Sequence, residues 1–502
     1  MKKVLFIKNA LILTATSIAL RFAGIIFKVW LAAAIGSEGI GLFQLVFSVY
    51  VLAATFATSG ISTAVTRLVT EELAVGSKKG VIRIMSRAFL ITIIAAALSQ
   101  LILTVFAAPI AAYFINDMRA VLSLRILAAS LVFMGLSSCI RGYFFARRKA
   151  LPGSITQILE QAIRIIIVFV GIKKFSHLGT EYACAAVLAG DVVAEAVSFM
   201  VLYAVYRLDK KRISSNGETA ISGIVKNIMR IAAPISGGRY ANTMLRTTEN
   251  MLVPRKLTNY GMDGSQALSV FGMIKGMALP ILFFPSSVLN AVSTLLMPEV
   301  TDAMAKKYKS AVRLAVSKTL RLTWFMGLIF GAVFFIVGDR IGMIIYKSEQ
   351  VGYLIKWLSP IVPLMYLDSI SDGMLKGMDQ QMTTFRISVV DSVLRIILVL
   401  FLLPLYGMTG FLIIMYISNL LTCLLNVGKL LKVADVKVNI LQSIVLPIIC
   451  ALLSALLCGY IFNFLNGDNI IYSACVSAVS VLVFVGLLFA NGVLKKEDLK
   501  LG

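Results

Sequence analysis

The sequence is short of what a catalyst or a metalloprotein needs. His177 is the only histidine among 502 residues, which leaves no histidine-based metal site and no conventional His-dependent triad. The six cysteines (Cys139, Cys184, Cys423, Cys450, Cys458 and Cys475) fall in apolar segments without metal-ligand spacing and read as small core residues. Acidic residues are also scarce, 24 Asp and Glu against 48 Lys and Arg, and charged residues of both signs make up only 14% of a chain that is 59% hydrophobic. A soluble globule is thereby excluded. The stretches between apolar runs are short on the side poor in Lys and Arg, so no soluble catalytic domain fits there. Neither catalytic residues, nor a metal, nor a cofactor is expected.

What the chain has instead is apolar length. Runs of roughly 20 residues recur about fourteen times, each long enough to cross the hydrocarbon of a bilayer. They lie near 8–34, 40–66, 84–108, 121–145, 154–172, 181–206, 227–252, 266–297, 314–337, 353–376, 384–404, 410–431, 441–463 and 471–493. The opening MKKVLFIKNALILTATSIAL imitates a signal peptide, but no convincing small-residue cleavage site precedes Arg21, and it is expected to stay as the first helix. The formal charge of +24 sits in short loops at alternate span ends and not in one patch, which argues against nucleic acid. With the N-terminus in the cytoplasm, roughly thirty Lys and Arg fall on that side and fewer than ten outside. An even number of spans returns the tail, LKKEDLKLG, to the same side, where anionic lipid heads are expected contacts.

Internal repetition organises the spans. Ser62, Thr63, Val69, Thr70 and Lys78 map onto Ser293, Thr294, Val300, Thr301 and Lys309 at a shift of 231, from 293 minus 62. The same shift carries Gly41 to Gly272, Gly142 to Gly373, Glu160 to Asp391, Arg164 to Arg395 and Gly179 to Gly410. A repeat of six spans has the same orientation in both copies, related by an axis along the membrane normal. The expected fold is therefore an all-α integral membrane protein with two pseudo-symmetric six-helix lobes and two C-terminal helices. Its parts are an N-lobe at 1–206, a cytoplasmic linker at 207–226, a C-lobe at 227–432, and the last two spans with the tail at 433–502.

Intramembrane charge is costly, roughly 2.5 to 3.5 kcal/mol for a basic residue at a helix centre, so each case needs a reason. In the first span, IALRFAGIIFK places Arg21 and Lys28 seven residues apart. Both then share one helix face, roughly 10 Å apart along the axis. Aligning the first span with the seventh at a shift of 218 sets Arg239 against Arg21 and Arg246 against Lys28. Four such cations suit a multiply anionic ligand such as a diphosphate, the arginines forking onto its oxygens and Lys28 acting as a point charge. The bland reading is snorkelling or neutralisation by acids, for Arg246 by Glu249 one turn away. Gln44 in the second span and Lys275 in the eighth align with each other and are further candidates for a cavity lining. Glu160 with Arg164 and Asp391 with Arg395 read as i,i+4 pairs that stabilise helices. Asp191 and Glu195, one turn apart in the sixth span, could bind a coupling cation or proton, or pair with the basic linker. Pro234 with Gly237 and Gly238, and Pro280 with Pro285, mark expected bends.

The segments RFAGIIFKVWLAAAIGSEGIGLFQLVFSVY, SGISTAVTRLVTEE and RGYFFARRKALPGSITQILEQAIRI, with the fourteen-span layout, resemble the stage V sporulation protein B and polysaccharide-transporter family. That family lies in the multidrug/oligosaccharidyl-lipid/polysaccharide (MOP) flippase superfamily with the MurJ lipid II flippases. The resemblance implies a helical transporter that moves an undecaprenyl-diphosphate-linked cell-wall precursor, lipid II or a related intermediate, outward across a bacterial cytoplasmic membrane by alternating access. It also implies a link to spore cortex peptidoglycan. Substrate-binding residues would be Arg21, Lys28, Arg239, Arg246, Gln44 and Lys275, with Asp191 and Glu195 for a coupling ion and a monomer as the working form. Arg21 matches the first arginine of the MurJ pattern, but the second would fall near Phe27, and the arginine of the MurJ second span is absent from Ser48 to Gly60. Two other classes stay open: a MATE-type multidrug or cation antiporter, for which the first helix lacks the embedded carboxylate, and a membrane-embedded glycosyltransferase, for which the loops are too short.

Overall fold

The computed structural model describes residues 2–175, 177, 179–213, 223–287, 289, 308–465 and 470–493. Of the repeat, Ser293, Thr294, Val300 and Thr301 lie outside the described residues, as do the tail from 494 on and 214–222 of the linker. The described chain is helical throughout. Its contacts divide it into two compact units, the first made of 1–27, 34–255 and 264–269, the second of 28–33, 256–263 and 270–502.

In the first unit, α1 (Lys2–Thr58) is a single run of 57 residues broken in direction at Gly36, whose φ of 74° and ψ of 175° leave the helical region. At 1.5 Å per residue such a run is roughly twice what one crossing needs, so it holds two expected spans end to end. There follow α2 (Ile61–Ala74), α3 (Lys78–Val105), α4 (Ala120–Ala128), α5 (Leu131–Ala146), α6 (Leu151–Phe175), α7 (Thr180–Lys211) and α8 (Ile224–Asn259, of which 224–255 belong here). The sixth span continues as α7 through Lys211, so the first five residues expected in the linker are helix. Ser77 caps α3, its hydroxyl accepting from the Gly80 amide at 3.0 Å. The core of this unit is built from α2, α3, α5 and α7, around Val65, Ile84, Met85, Ile140, Tyr143 and Leu202, and Ile228 and Ala232 of α8 close it. The seventh span thus packs with the helices of the first six.

The second unit takes up the end of α9 (Gly264–Gly272, of which 264–269 belong to the first unit), a π-helical turn at Met273–Ala278, and α10 (Leu279–Phe283). It then has α11 (Lys309–Tyr346), α12 (Glu349–Leu358), α13 (Val362–Gly377), α14 (Gln381–Ala434, bent at Gly407), α15 (Leu446–Leu465) and α16 (Ile470–Ala490). The last two helices pack on α11, with Phe325 and Leu328 against Cys450, Ala451, Phe484 and Leu488. Five cysteines are buried as small core residues, and Cys475 is exposed.

Among the described residues, nine helical stretches are long and apolar enough to cross a membrane, against the fourteen separate spans expected. Part of the difference is physical. Expected spans run together in α1 and in α14, while α8 is punctuated by polar residues. The helix α8 continues through Pro234. The eighth span is one helical stretch over 264–283, in which a π turn at Met273–Ala278 precedes Pro280.

Candidate functional site

The helix α8 lies along the distal half of α1 on a row of small and polar contacts. Ser236 Oγ donates to the Ser59 carbonyl at 2.7 Å, and the Thr55 and Thr243 hydroxyls meet at 3.4 Å. Further along, Thr247 Oγ1 donates to the Ser48 carbonyl at 3.1 Å and Asn250 Nδ2 to Ser48 Oγ at 3.0 Å. Phe56 meets Tyr240 edge to face at 6.2 Å. Residues 236, 243, 247 and 250 recur at helical spacing and define one contact stripe. Arg239 and Arg246, seven apart, fall on one flank of it. Both are exposed, and neither has an ion-pair partner among the described residues. The alternative reading, neutralisation of Arg246 by Glu249, has no ion pair behind it among the described residues; Glu249 is buried one turn on.

The remaining candidate cations and their polar partner fall as follows. Lys28 is exposed on α1 and has no ion-pair partner among the described residues; it belongs to the second unit. The side chain of Arg21 lies outside the described residues. Gln44 is half-buried in α1, one turn from Ser48, whose hydroxyl donates to the Gln44 carbonyl at 2.8 Å. That places Gln44 in the first unit beside the stripe that carries Arg246. Lys275, in the second unit, is half-buried in the π turn with its ammonium 5.9 Å from the centre of the Phe411 ring.

The embedded acids form a different cluster inside the first unit. Arg164 on α6 binds Glu160 at 2.9 Å, as its i,i+4 spacing predicts, and also Gln161 at 2.7 Å. It reaches a second carboxylate, Asp191 on α7. Glu195, one turn further, faces Arg141 of α5 at 3.7 Å. Among the described residues the partners of Asp191 and Glu195 are arginines of neighbouring helices, not the basic linker of the alternative expectation. Buried ions cost several kcal/mol each in lost hydration, which mutual pairing and hydrogen bonds must offset.

Near the end of α7, Asp209 accepts from Tyr143 at 2.8 Å and Arg147 at 3.1 Å and pairs with Lys149. This knot occupies three basic or aromatic positions of the RGYFFARRK segment. At the start of α4, Arg119 binds Asp117 at 2.7 Å and Glu38 at 2.8 Å. Hydrogen bonding to Asp117, joined by Glu38, raises this guanidinium above its ordinary range against an opposing desolvation.

The second unit repeats the pattern with changed residues. Arg395 binds Asp391 at 3.0 Å and donates to Ser418 at 2.6 Å, and Ser418 bonds Asp391. Asn426 donates to Asp368 at 2.7 Å. Asp368, Ser418, Asn426, Arg141 and Ser137 did not emerge from the sequence reading. The repeat could have found Asn426, because 426 minus 195 equals 231, and it pairs Asp368 with Ser137 at the same shift.

These features define a class before they define a family. The fold matches that of a lipid II flippase MurJ in an inward closed conformation with a TM-score of 0.73 at 14% identity, over 96% of this chain and 100% of that one. It also matches an inward-facing multidrug resistance MATE family transporter of the MOP superfamily, with a TM-score of 0.64 at 14% identity over 84% and 98%. The molecule is thus an all-helical, multi-pass membrane protein with the MurJ and MATE fold. Residues 6–298, more than half of the sequence, match the family model for polysaccharide biosynthesis proteins, and the chain belongs to that family, a family of transporters and not of enzymes. Residues 257–401 match the MatE model. Over its whole length the chain is 25% identical to stage V sporulation protein B of Bacillus subtilis (strain 168), covering 98% of it.

Proposed function

We propose that the protein is a flippase that moves an undecaprenyl-diphosphate-linked cell-wall precursor, lipid II or a related polysaccharide intermediate, outward across the bacterial cytoplasmic membrane by alternating access. In this reading Arg21, Lys28, Arg239 and Arg246 supply positive charge for the diphosphate, Gln44 and Lys275 add polar contacts, and Asp191 with Glu195 serve a coupling ion. The supporting observation is that Lys28 on α1 and Arg239 and Arg246 on α8 stand exposed without an acid to neutralise them among the described residues. Cations left in that state are costly unless they meet water or an anion. A role in spore cortex peptidoglycan follows from the likeness to stage V sporulation protein B and is part of the same proposal, as are cytoplasmic termini and a monomeric working form.

The test is transport by purified protein in vesicles, with lipid II, a teichoic-acid or capsule-type precursor, and a cationic dye as parallel cargoes. Arg239→Ala should abolish movement of the lipid-linked cargo while membrane insertion stays intact. Unchanged transport would sink the cation reading. The second reading, a MATE-type cation antiporter, is favoured by the match of 257–401 to the MatE model, and movement of the dye alone would select it.

A further inference from the structure

The cluster around Arg164 holds three carboxylates, Glu160, Asp191 and Glu195, against two guanidiniums, Arg141 and Arg164. With every group ionised it carries one uncompensated negative charge inside a membrane-embedded bundle. The three acids are not equivalent. Glu160 and Asp191 are both bound directly by Arg164, whose planar fork can serve two carboxylates at once. Glu195 is left with Arg141 at 3.7 Å, beyond hydrogen-bond reach, and its Oε1 is buried with no hydrogen-bond partner. Its side chain is only 9% exposed. Beside it lies the buried Ser137 hydroxyl, near enough to interact with the carboxyl group. A buried carboxylate oxygen without a close cation needs an explanation.

The second unit supplies one. The repeat shift of 231 puts Asn426 where Glu195 stands and Asp368 where Ser137 stands. There the two side chains are joined: Asn426 Nδ2–H donates to Asp368 Oδ1 at 2.7 Å, while Asn426 Oδ1 stays buried without a partner. An amide is a close shape match for a protonated carboxyl group, with one N–H in place of the acid O–H. A Glu195 carrying a proton could donate to Ser137 as Asn426 donates to Asp368, and the cluster would become neutral.

We propose that Glu195 is a proton-binding carboxylate of the first unit, and that it, and not Asp191, loads and releases the proton during transport. This deepens the coupling role given above to the pair and rests on that transport reading for its second half. The groups around Glu195 are Arg141 and Ser137 from α5, Glu160 and Arg164 from α6, Asp191 on its own helix, and Tyr50 of α1, held by Ser130 at 2.7 Å. The helix α4 packs on α7 nearby through Ser123 beside Cys184. Among the described residues no three carboxylate, thiol or imidazole groups converge as a metal cage, which favours a proton over a divalent cation. The step makes and breaks one O–H bond: water on one side gives the proton to Glu195, and water on the other side takes it.

The experiment is a pH-difference infrared titration of the full-length protein in lipid nanodiscs. A protonated-carboxyl C=O band should be lost in Glu195→Gln and kept in Asp191→Asn. Ser137→Ala should move its frequency by removing the acceptor, and Arg141→Gln should carry the band to more alkaline pH by about one unit or more. The last two variants keep Glu195 itself and read the same group should Glu195→Gln not fold. Survival of the band in Glu195→Gln, its loss in Asp191→Asn, or indifference to both Ser137→Ala and Arg141→Gln would overturn the assignment. In vesicles loaded with lipid II, an imposed pH gradient should speed transport several-fold in the parent protein and not in Glu195→Gln. A response to a sodium gradient in place of a pH gradient would refute the coupling role. The infrared arm needs no cargo, so its failure leaves the flippase reading standing, while failure of Arg239→Ala to affect transport strikes that reading alone.

Discussion

Gly60→Ala tests the packing of α8 on the distal half of α1 and on the start of α2. Gly60 links α1 to α2 with φ of 74° and ψ of −27°, a left-handed conformation. A side chain there costs roughly 1–2 kcal/mol in backbone strain alone. An added Cβ would also stand 2.5 Å from the Ala232 carbonyl oxygen, 2.8 Å from Ala232 Cα and 2.9 Å from Ser236 Oγ. Ordinary contact begins near 3.4 Å, so α8 must retreat by about 0.9 Å, from 3.4 minus 2.5. Overpacking of that kind typically costs about 1–3 kcal/mol, which puts the total at roughly 2–5 kcal/mol. The retreat would stretch the Ser236 to Ser59 hydrogen bond, now 2.7 Å, in the same movement. Thermal unfolding of purified protein in detergent reads the effect, with Gly237→Ala as the matched control. Gly237 lies inside α8 with open space where its Cβ would be. Its replacement should be neutral or stabilising by roughly 0.5–1 kcal/mol. If Gly60→Ala were as stable as the parent protein, or if both variants fell equally, the close approach of α8 at this point would be refuted.

Two further perturbations separate packing from charge. Arg164→Met leaves Glu160 and Asp191 buried without their shared cation and should cost about 3–5 kcal/mol, whereas Arg164→Met combined with Asp191→Asn should cost clearly less than the two changes added separately; additive unfolding energies would contradict the pairing. Thr55→Cys with Thr243→Cys, in a background without the native cysteines, should cross-link under mild oxidation because the parent hydroxyls lie 3.4 Å apart. If span two and span seven separate during transport, the oxidised protein should stall and recover with reductant. Full activity of a quantitatively cross-linked sample would show that this contact stays closed throughout the cycle.

The comparison of span seven with span one illustrates how far a linear reading reaches. Composition together with the length of the apolar runs points to a helical membrane protein, since only helices and closed barrels satisfy their backbone in lipid and barrel strands are short and alternate in polarity. The repeat at a shift of 231 identifies equivalent positions, and i,i+4 spacing identifies Glu160 with Arg164 and Asp391 with Arg395, because helical geometry is local and periodic. Span boundaries were less legible. The helix α1 runs on through the polar stretch Gly36 to Gly39 that separates two expected spans, and Gly36 changes direction through a dihedral angle that hydropathy does not register.

What the sequence determined by itself was the membrane class, the family likeness and the local ion pairs, all set by composition or by neighbours within one helical turn. Only the tertiary structure decided that Arg164 also holds Asp191, that Glu195 is left with a distant arginine and an unpartnered oxygen, and that the seventh span packs with the helices of the first six. Those facts depend on which helix faces meet across α1, α5, α6, α7 and α8. Each helix presents several faces of nearly equal apolarity to a lipid solvent, so hydrophobicity does not choose among them. Small residues such as Gly60 and matched polar pairs do, and their partners are far away in the chain.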